Sequence, residues 1–307
     1  MAFSDLFNKG FCSNSNILGA GLGTCQFNLS RINTIWVHDY NYQFPINFEP
    51  SVQNYMQLVR KEEMRVFQGA VNATWETAED GTQTFAGGAK RTTDKMPYEF
   101  TVFFPQDINF DRALRAVENK QRLSITLIDD KGQIANFIDA DGIVTPMNVS
   151  FFQVAPYKPS GDDAAGTMVR IQIENRKAFD TQFSIMDQKA YNFDPSKVVD
   201  VIDTTFTVQA DTTTKFDFKV KRDADKHAQS GITIGLLRVR QNNTVIPNNI
   251  LTLVENGGAG SGEYSITRSS GTFTQNVPIE VNFYDSNTNT NTAFISGVLL
   301  KGVCSGF

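Results

Sequence analysis

The fold is decided by a stretch in which a strand, a helix and a second strand follow one another: YEFTVFF (98–104), DINFDRALRAVE (107–118) and LSITLI (123–128). The first and third segments are short β-prone runs, and apolar and polar residues alternate cleanly in the third, as along a strand. In the middle segment Phe110, Leu114 and Val117 recur at i, i+4 and i+7, which predicts a helix over 109–119 with one apolar stripe. Asn109 is the expected N-cap of this helix. This stretch therefore predicts a β domain with one flanking helix.

A long polar segment precedes this stretch. A β-prone run covers 64–75, and TAEDGTQTFAGGAKRTTDK follows at 77–95, with Phe85 as its one large apolar residue. Loops of this length are uncommon in compact domains and are usually functional or disordered. The sequence therefore predicts two strands that flank a long exposed loop. The loop supplies the first group of candidate intersubunit residues: Glu79, Asp80, Phe85, Lys90 and Arg91.

The two ends of the chain carry the second group of candidate intersubunit residues. Phe3, Phe7 and Phe11 lie in an N-terminal arm predicted over 1–33, and Phe307 is the last residue. Aromatic side chains of this kind need a surface to pack on. In a monomer the arm folds back on its own chain, and in an assembly it lies on a neighbour; the sequence leaves both possibilities open.

Short strands and one more helix complete the region up to residue 178. The predicted strands cover 34–38, 133–138, 147–154 and 167–174, and a helix is expected over 51–60. The segments Asp130-Lys131-Gly132 and Asp141-Gly142 indicate tight turns. A calcium loop that begins at Asp139 would need Glu at its twelfth position, where the chain has Ser150.

A second β region is predicted over 182–307, and it gives the domain organisation 1–33, 34–178 and 182–307. Its expected strands, separated by Gly-, Asn- and Asp-rich turns, are 204–208, 215–220, 232–239, 249–254, 261–267, 279–284 and 293–300. The spacing leaves no room for crossover helices, so antiparallel sheets are expected. The fold class is thus mainly β: an antiparallel β-barrel or sandwich with one flanking helix, followed by a C-terminal β-sandwich domain.

Composition favours a role without catalysis. The 307 residues carry 28 Lys+Arg against 33 Asp+Glu, and they include only two histidines and three cysteines. The chain has no Gly-x-Ser-x-Gly elbow and no Cys-x-x-Cys pair, and the glycines at 19–23 lack the strand–turn–helix setting of a nucleotide loop. We therefore expect no enzyme activity, no cofactor and no metal site. The mild negative charge argues against specific nucleic-acid binding. With no apolar run of about 20 residues and no visible secretory signal, we also expect no membrane insertion and free thiols made in a reducing cytoplasm.

The layout of 64–174 resembles the tail-tube-like proteins of contractile and long-tailed bacteriophages and related injection machines. Those proteins combine a small antiparallel barrel or sandwich, one flanking helix and a long hairpin loop that reaches a neighbouring ring. Here 77–95 corresponds to the loop and 109–119 to the helix. The resemblance implies a structural virion protein, made in the host cytoplasm, that assembles with itself into a ring or tube and with other virion proteins. It also implies that DNA passes through a lumen without being bound.

Other functions remain open at this point. A capsid-decorating or head-fibre protein fits the same composition and the additional C-terminal domain. A carbohydrate-binding or adhesive β-sandwich would present exposed aromatic residues on one face, and the chain has only Trp36 and Trp75 as tryptophans. A glycosidase would need a pair of carboxylates in an apolar setting, and the sequence singles out no such pair.

Overall fold

The structure is a computed structural model. It describes residues 2–7, 29–76, 81–86, 88–94, 96–119, 122–159, 165–212, 214–222, 227–257, 260–274, 277–287, 289–295 and 298–306. The chain forms two compact units. The first comprises Met1–Leu58 and Glu62–Val198, and the second comprises Val199–Phe307 with Val59–Lys61.

The first unit is mainly β and begins with a short 3₁₀ turn at Phe3–Leu6. Its strands are β1 (Ile32–Asp39), β2 (Met64–Gln68), β3 (Val71–Glu76), β4 (Gly81–Thr84), β5 (Lys90–Asp94), β6 (Glu99–Phe104), β7 (Leu123–Asp129), β8 (Ile134–Ile138), β9 (Val144–Thr145), β10 (Met147–Val154), β11 (Thr167–Ile173) and β12 (Phe183–Met186). Its helices are α1 (Val52–Arg60), α2 (Ile108–Glu118) and α3 (Arg176–Gln182).

Antiparallel pairing links these strands in a closed series. The order runs β2–β1–β7–β10–β11–β6–β3, and β8, β9 and β12 extend it beside β7. Because only Gly69 and Ala70 separate β2 from β3, the two ends of the series meet in one bent strand and the sheet closes on itself. Gly69 makes the bend possible: its φ is +83°, and a Cβ at this position would lie 2.7 Å from Nε2 of Gln106.

The core of this unit lies inside the closed sheet. Large apolar side chains from β1, β6, β7 and β11 fill it, and α2 contributes Leu114 and Val117, as the predicted stripe requires. Phe110 packs against the same cluster and is partly buried. The alternation along β7 predicts that one face of the strand is buried, but all seven of its residues are buried. A second layer therefore covers the outer face of β7.

That second layer is aromatic. Trp36 of β1 and Tyr55 of α1 stack with ring centroids 4.4 Å apart on this outer face. Phe44 and Phe48 continue the layer, with 5.2 Å between their centroids. The aromatic segment before α1, together with Tyr55 of α1, thus covers part of the outer surface of the sheet.

Three sequence expectations for this unit need correction. The N-cap of α2 is Asp107 and not Asn109, because its carboxylate accepts hydrogen bonds from the backbone N–H of Asn109 and Phe110. The polar segment 77–95 contains the strands β4 and β5. The first unit also continues to Val198, because β12 pairs with β8 beyond the expected limit at residue 178.

The second unit is a sandwich of two sheets. Its strands are β13 (Val201–Asp211), β14 (Lys215–Arg222), β15 (Leu237–Gln241), β16 (Thr244–Ile246), β17 (Leu251–Asn256), β18 (Glu263–Arg268), β19 (Ile279–Phe283), β20 (Thr292–Ile295), β21 (Val298–Lys301) and β22 (Val303–Gly306). One sheet has the order β17–β18–β14–β13–β21–β20, and the other has the order β16–β15–β19–β22. Phe206 of the first sheet meets Phe283 of the second with ring centroids 5.1 Å apart in a shared core.

Two expectations for the second unit also change. The run 293–300 is a hairpin of β20 and β21 and not a single strand. β13 and β21 are parallel, so the unit is not purely antiparallel. Short spacing excludes a local crossover helix, but it does not prevent strands far apart in sequence from pairing in the same direction.

Candidate assembly interface

The hairpin β4–β5 forms a two-stranded sheet of its own within the first unit. Thr82 pairs with Thr92, and Thr84 pairs with Lys90. At its tip the backbone N–H of Phe85 donates to the carbonyl of Ala89 over 2.8 Å. The strands are polar on both faces, which explains why hydrophobic periodicity did not reveal them. The available signal was chemical: β-branched threonines on both sides of an Ala-Gly-Gly turn.

The hairpin is largely exposed at the residues whose burial the structure describes, 81–86 and 88–90. Thr82, Gln83, Thr84 and Ala86 are all exposed, and Phe85 at the tip has 46% of its surface accessible. An isolated two-stranded hairpin is at best marginally stable in water. The tip of this element presents an aromatic ring that is nearly half accessible to solvent.

The hairpin is anchored at one corner of the closed sheet. The chain leaves the sheet at the end of β3 and returns at β6, and these two strands pair with each other through Trp75 and Phe100. The Trp75 ring stacks on Phe100 at 4.6 Å and lies 5.8 Å from Phe179, while 39% of its surface stays accessible. β3 and β6 thus pair with each other on either side of segment 77–95, as the prediction of two flanking strands requires.

The structure places some of the predicted intersubunit residues on this hairpin. Phe85 lies at its tip and Lys90 begins its second strand, and both are exposed. The backbone of Arg91 pairs with Gln83 in the same hairpin. The remaining candidates, Glu79, Asp80, Phe11 and Phe307, lie outside the described residues.

Phe3 and Phe7 lie elsewhere, in a groove of their own unit. They are 1% and 3% exposed, so their rings are not available on the surface as the simplest form of the prediction supposes. Phe3 meets Phe44 edge to face at 5.3 Å, and Phe7 forms a single antiparallel bridge with Met186. Within one chain the N-terminal segment folds back, which is the first of the two possibilities left open by the sequence.

The outer face of the sheet is open on the side formed by β10, β11 and β6. Phe151 and Met168 are 39% and 40% exposed on this side. Arg170 follows Met168 by two residues on β11, and its Nε lies 2.7 Å from a carboxylate oxygen of Glu99. This surface is more exposed than the part of the same sheet where Tyr55 of α1 covers Trp36.

A polar cleft of about 260 Å³ lies near the β7–β8 turn and is lined by Asp129, Asp130 and Asp194, among others. Its carboxylates serve the local backbone. Asp129 accepts hydrogen bonds from the backbone N–H groups of Ser30, Lys131 and Gln133. The Ser196 hydroxyl and backbone bonds hold the pKa of Asp194 below its ordinary value. The cleft therefore presents carboxylates already used by turns and not a converging acid pair.

Among the described residues, no group of three or more His, Cys, Asp or Glu side chains is placed to hold a metal ion. None of the helices in the described ranges is long and apolar enough to cross a membrane.

The tryptophans do not form an exposed aromatic platform in the second unit. Both belong to the first unit, where Trp36 is fully buried and Trp75 stacks on the sheet. No protein-family model and no curated protein sequence matches this chain. The layout of the elements and the exposed hairpin are therefore the features that bear on function.

Proposed function

We propose that this protein is a structural subunit of a bacteriophage particle, associated with the tail as a tube, collar or connector component, and that it acts by self-assembly and not by catalysis. The observation that supports this proposal most directly is the exposed hairpin β4–β5 with Phe85 at its tip. The closed sheet, the flanking helix α2 and a hairpin between β3 and β6 have the layout expected from the resemblance to tail-tube-like proteins.

Physical chemistry favours a neighbouring subunit as the partner of this hairpin. Burial of a Phe side chain contributes about 1.5–3 kcal/mol relative to exposure, and Phe85 still has 46% of its surface accessible within its own chain. Lys90 adds a positive charge beside the apolar tip. Charged groups at the rim of an interface fix orientation and partner choice more than affinity.

The net charge of the chain fits the same function. With 28 basic and 33 acidic residues the protein is negative overall. A lumen that conducts DNA works better without a basic lining, because phosphate contacts would retain the DNA backbone. Passage of DNA without specific binding is therefore part of the proposal.

The test is removal of the hairpin. Replacement of residues 79–92 by a short Gly/Ser link, and separately Phe85→Ser, should leave the protein folded and monodisperse but should abolish or weaken the formation of rings or tubes. Negative-stain electron microscopy and sedimentation velocity measure assembly, and circular dichroism measures the fold. Val245→Ser is the matched control, because Val245 is 50% exposed and lies on β16 in the second unit.

The outcomes separate the functions that were considered. Normal assembly of both hairpin variants would show that the hairpin does not connect subunits. The tail-tube-like role would then lose its main support. A wild-type protein that stays monomeric at high concentration would contradict self-assembly and would favour a binding module.

A further inference from the structure

The N-terminal segment 2–7 binds its own unit as a short peptide would. The backbone N–H of Phe3 donates to the carbonyl of Ile46 over 2.8 Å. The Phe3 ring contacts the rings of Phe44 and Phe48 at centroid distances of 5.3 and 5.1 Å. At the other end, Phe7 bridges to Met186 of β12. Two buried aromatic anchors, four residues apart, thus hold the segment in an apolar groove.

The groove is made by residues far from this segment along the chain. Its walls are the 44–48 segment, β12 and the turn between β8 and β9, where the Ser4 hydroxyl lies 3.4 Å from the position of a Cβ on Gly142. The contacts are hydrogen bonds and packed rings. The same contacts form equally well with segment 2–7 of a second copy, because no contact requires the segment to belong to the same chain.

Chain length permits such an exchange. Residues 8–28 join the docked segment to Leu29, and ~20 residues reach at most ~70 Å when fully extended. A compact unit of roughly 200 residues has a radius of gyration of about 16 Å, so this reach exceeds its size. Exchange of an identical element between protomers is a low-cost way to link copies.

We propose that in the assembled particle segment 2–7 of one copy occupies the groove of a neighbouring copy, with Phe3 and Phe7 as its anchors. This inference rests on the proposed function, because assembly brings neighbouring grooves to an effective concentration at which they compete with the groove of the same chain. Exchange links subunits with the aromatic contacts that a single chain already makes, and it adds a second connection independent of the hairpin.

A disulfide test distinguishes the two arrangements. In a background with Cys12→Ser, Cys25→Ser and Cys304→Ser, one protein carries Ser4→Cys and a second protein of different size carries Gly142→Cys. The Ser4 hydroxyl lies 3.4 Å from the Cβ position of Gly142, near the Cβ–Cβ separation of about 3.8 Å in a disulfide. Because Gly142 has a φ of +77°, which strains a side chain, circular dichroism first checks that the Gly142→Cys protein is folded. The two proteins are mixed before assembly, oxidised and separated on non-reducing gels.

Exchange predicts a disulfide between the two chains in assembled samples. Its yield should exceed that of a control pair with Thr252→Cys in place of Gly142→Cys by on the order of tenfold, since the docked segment is held at high effective concentration. Addition of Phe3→Ala and Phe7→Ala to the Ser4→Cys protein should reduce the yield to that of the control.

A chain with both Ser4→Cys and Gly142→Cys shows whether the geometry permits the bond. Suppose that in assembled particles this double variant forms the disulfide within one chain, while the mixture gives no more cross-linked product than the control. That result would overturn the exchange and leave the proposed function intact. If electron microscopy shows no assembly at all, the proposed function is contradicted, and so is the exchange of segment 2–7 within a particle.

Discussion

At the scale of single residues, His38 shows how a polar side chain behaves beneath the aromatic layer. It is 2% exposed, and its ring stacks on Tyr42 with centroids 5.0 Å apart. Its Nε2 lies 3.4 Å from the hydroxyl of Thr126, which donates to Oδ1 of Asn136 over 2.6 Å. Burial lowers the pKa of His38 to about 3, and a hydrogen bond to the backbone of Glu63 opposes this shift only in part. The folded protein therefore holds His38 neutral.

This burial predicts a loss of stability in mild acid. Since the folded pKa lies below the ordinary value of 6.5, the unfolded chain binds the proton more readily between about pH 6.5 and 3. The contribution of His38 is fully present above pH 6.5, and it falls by up to about 1.4 kcal/mol per pH unit within that window, or about 2 kcal/mol from pH 7 to pH 5. Urea unfolding at both pH values measures the change.

His227 provides the control for this prediction, because its side chain is exposed. His38→Gln should lower the stability at pH 7 but flatten the dependence between pH 7 and 5, whereas His227→Gln should leave the dependence as in the wild type. An unchanged slope in His38→Gln would show that another group causes the acid sensitivity.

At the scale of elements, α2 shows that a sequence pattern defines the buried face of a helix but not its first residue. The apolar stripe places Leu114 and Val117 in the core, as predicted. The predicted helix begins at residue 109, one residue after the observed start at Ile108. The difference arises because two candidate caps, Asp107 and Asn109, lie two positions apart. The carboxylate of Asp107 accepts from the N–H groups of Asn109 and Phe110 at 3.0 and 2.9 Å, which leaves Asn109 inside the helix.

The cap assignment predicts unequal effects of two alanine substitutions. Asp107→Ala should destabilise the first unit by about 1 kcal/mol, because two backbone donors lose their acceptor at the positive end of the helix. Asn109→Ala should change stability by less than about 0.5 kcal/mol, as expected for a surface position. Thermal or urea unfolding of both variants tests the assignment, and a larger loss in Asn109→Ala would reverse it.

At the scale of the whole molecule, the division into two units falls at Val198. The sequence indicated a break near residue 180, where one series of strands ends. The chain instead continues through α3 and returns to the first unit as β12, where Ile185 and Met186 are buried. Tyr191 and Val198 are also buried, so the segment up to the boundary completes the outer layer.

The boundary predicts how two C-terminal fragments behave. Fragment 199–307 should fold alone, with cooperative unfolding and a β-type circular dichroism spectrum, since it holds both sheets of the sandwich and their shared core. Fragment 182–307 should be less soluble, because it exposes the apolar side chains of β12. Size-exclusion chromatography and thermal unfolding compare the two; an unfolded 199–307 fragment beside a folded 182–307 fragment would move the boundary back.

Sequence patterns were enough to predict the mainly β class, α1 and α2, most of the strands and the tight turns at Gly132 and Gly142. These features depend on local chemistry: the period of the apolar residues, the geometry of glycine at positive φ, and the hydrogen bonds that Asp129 and Asp139 accept from their own turns. The two strands that flank 77–95 were predictable for the same reason.

The closure of the sheet, the boundary at Val198 and the burial of Phe3 and Phe7 could not be predicted from local patterns. Each depends on residues far apart along the chain. The bent strand at Gly69 joins two ends of a pairing series, β12 reaches back to β8, and the N-terminal rings enter a groove formed by 44–48 and β12. Local patterns state that a side chain is apolar, but which surface covers it depends on how distant segments pack.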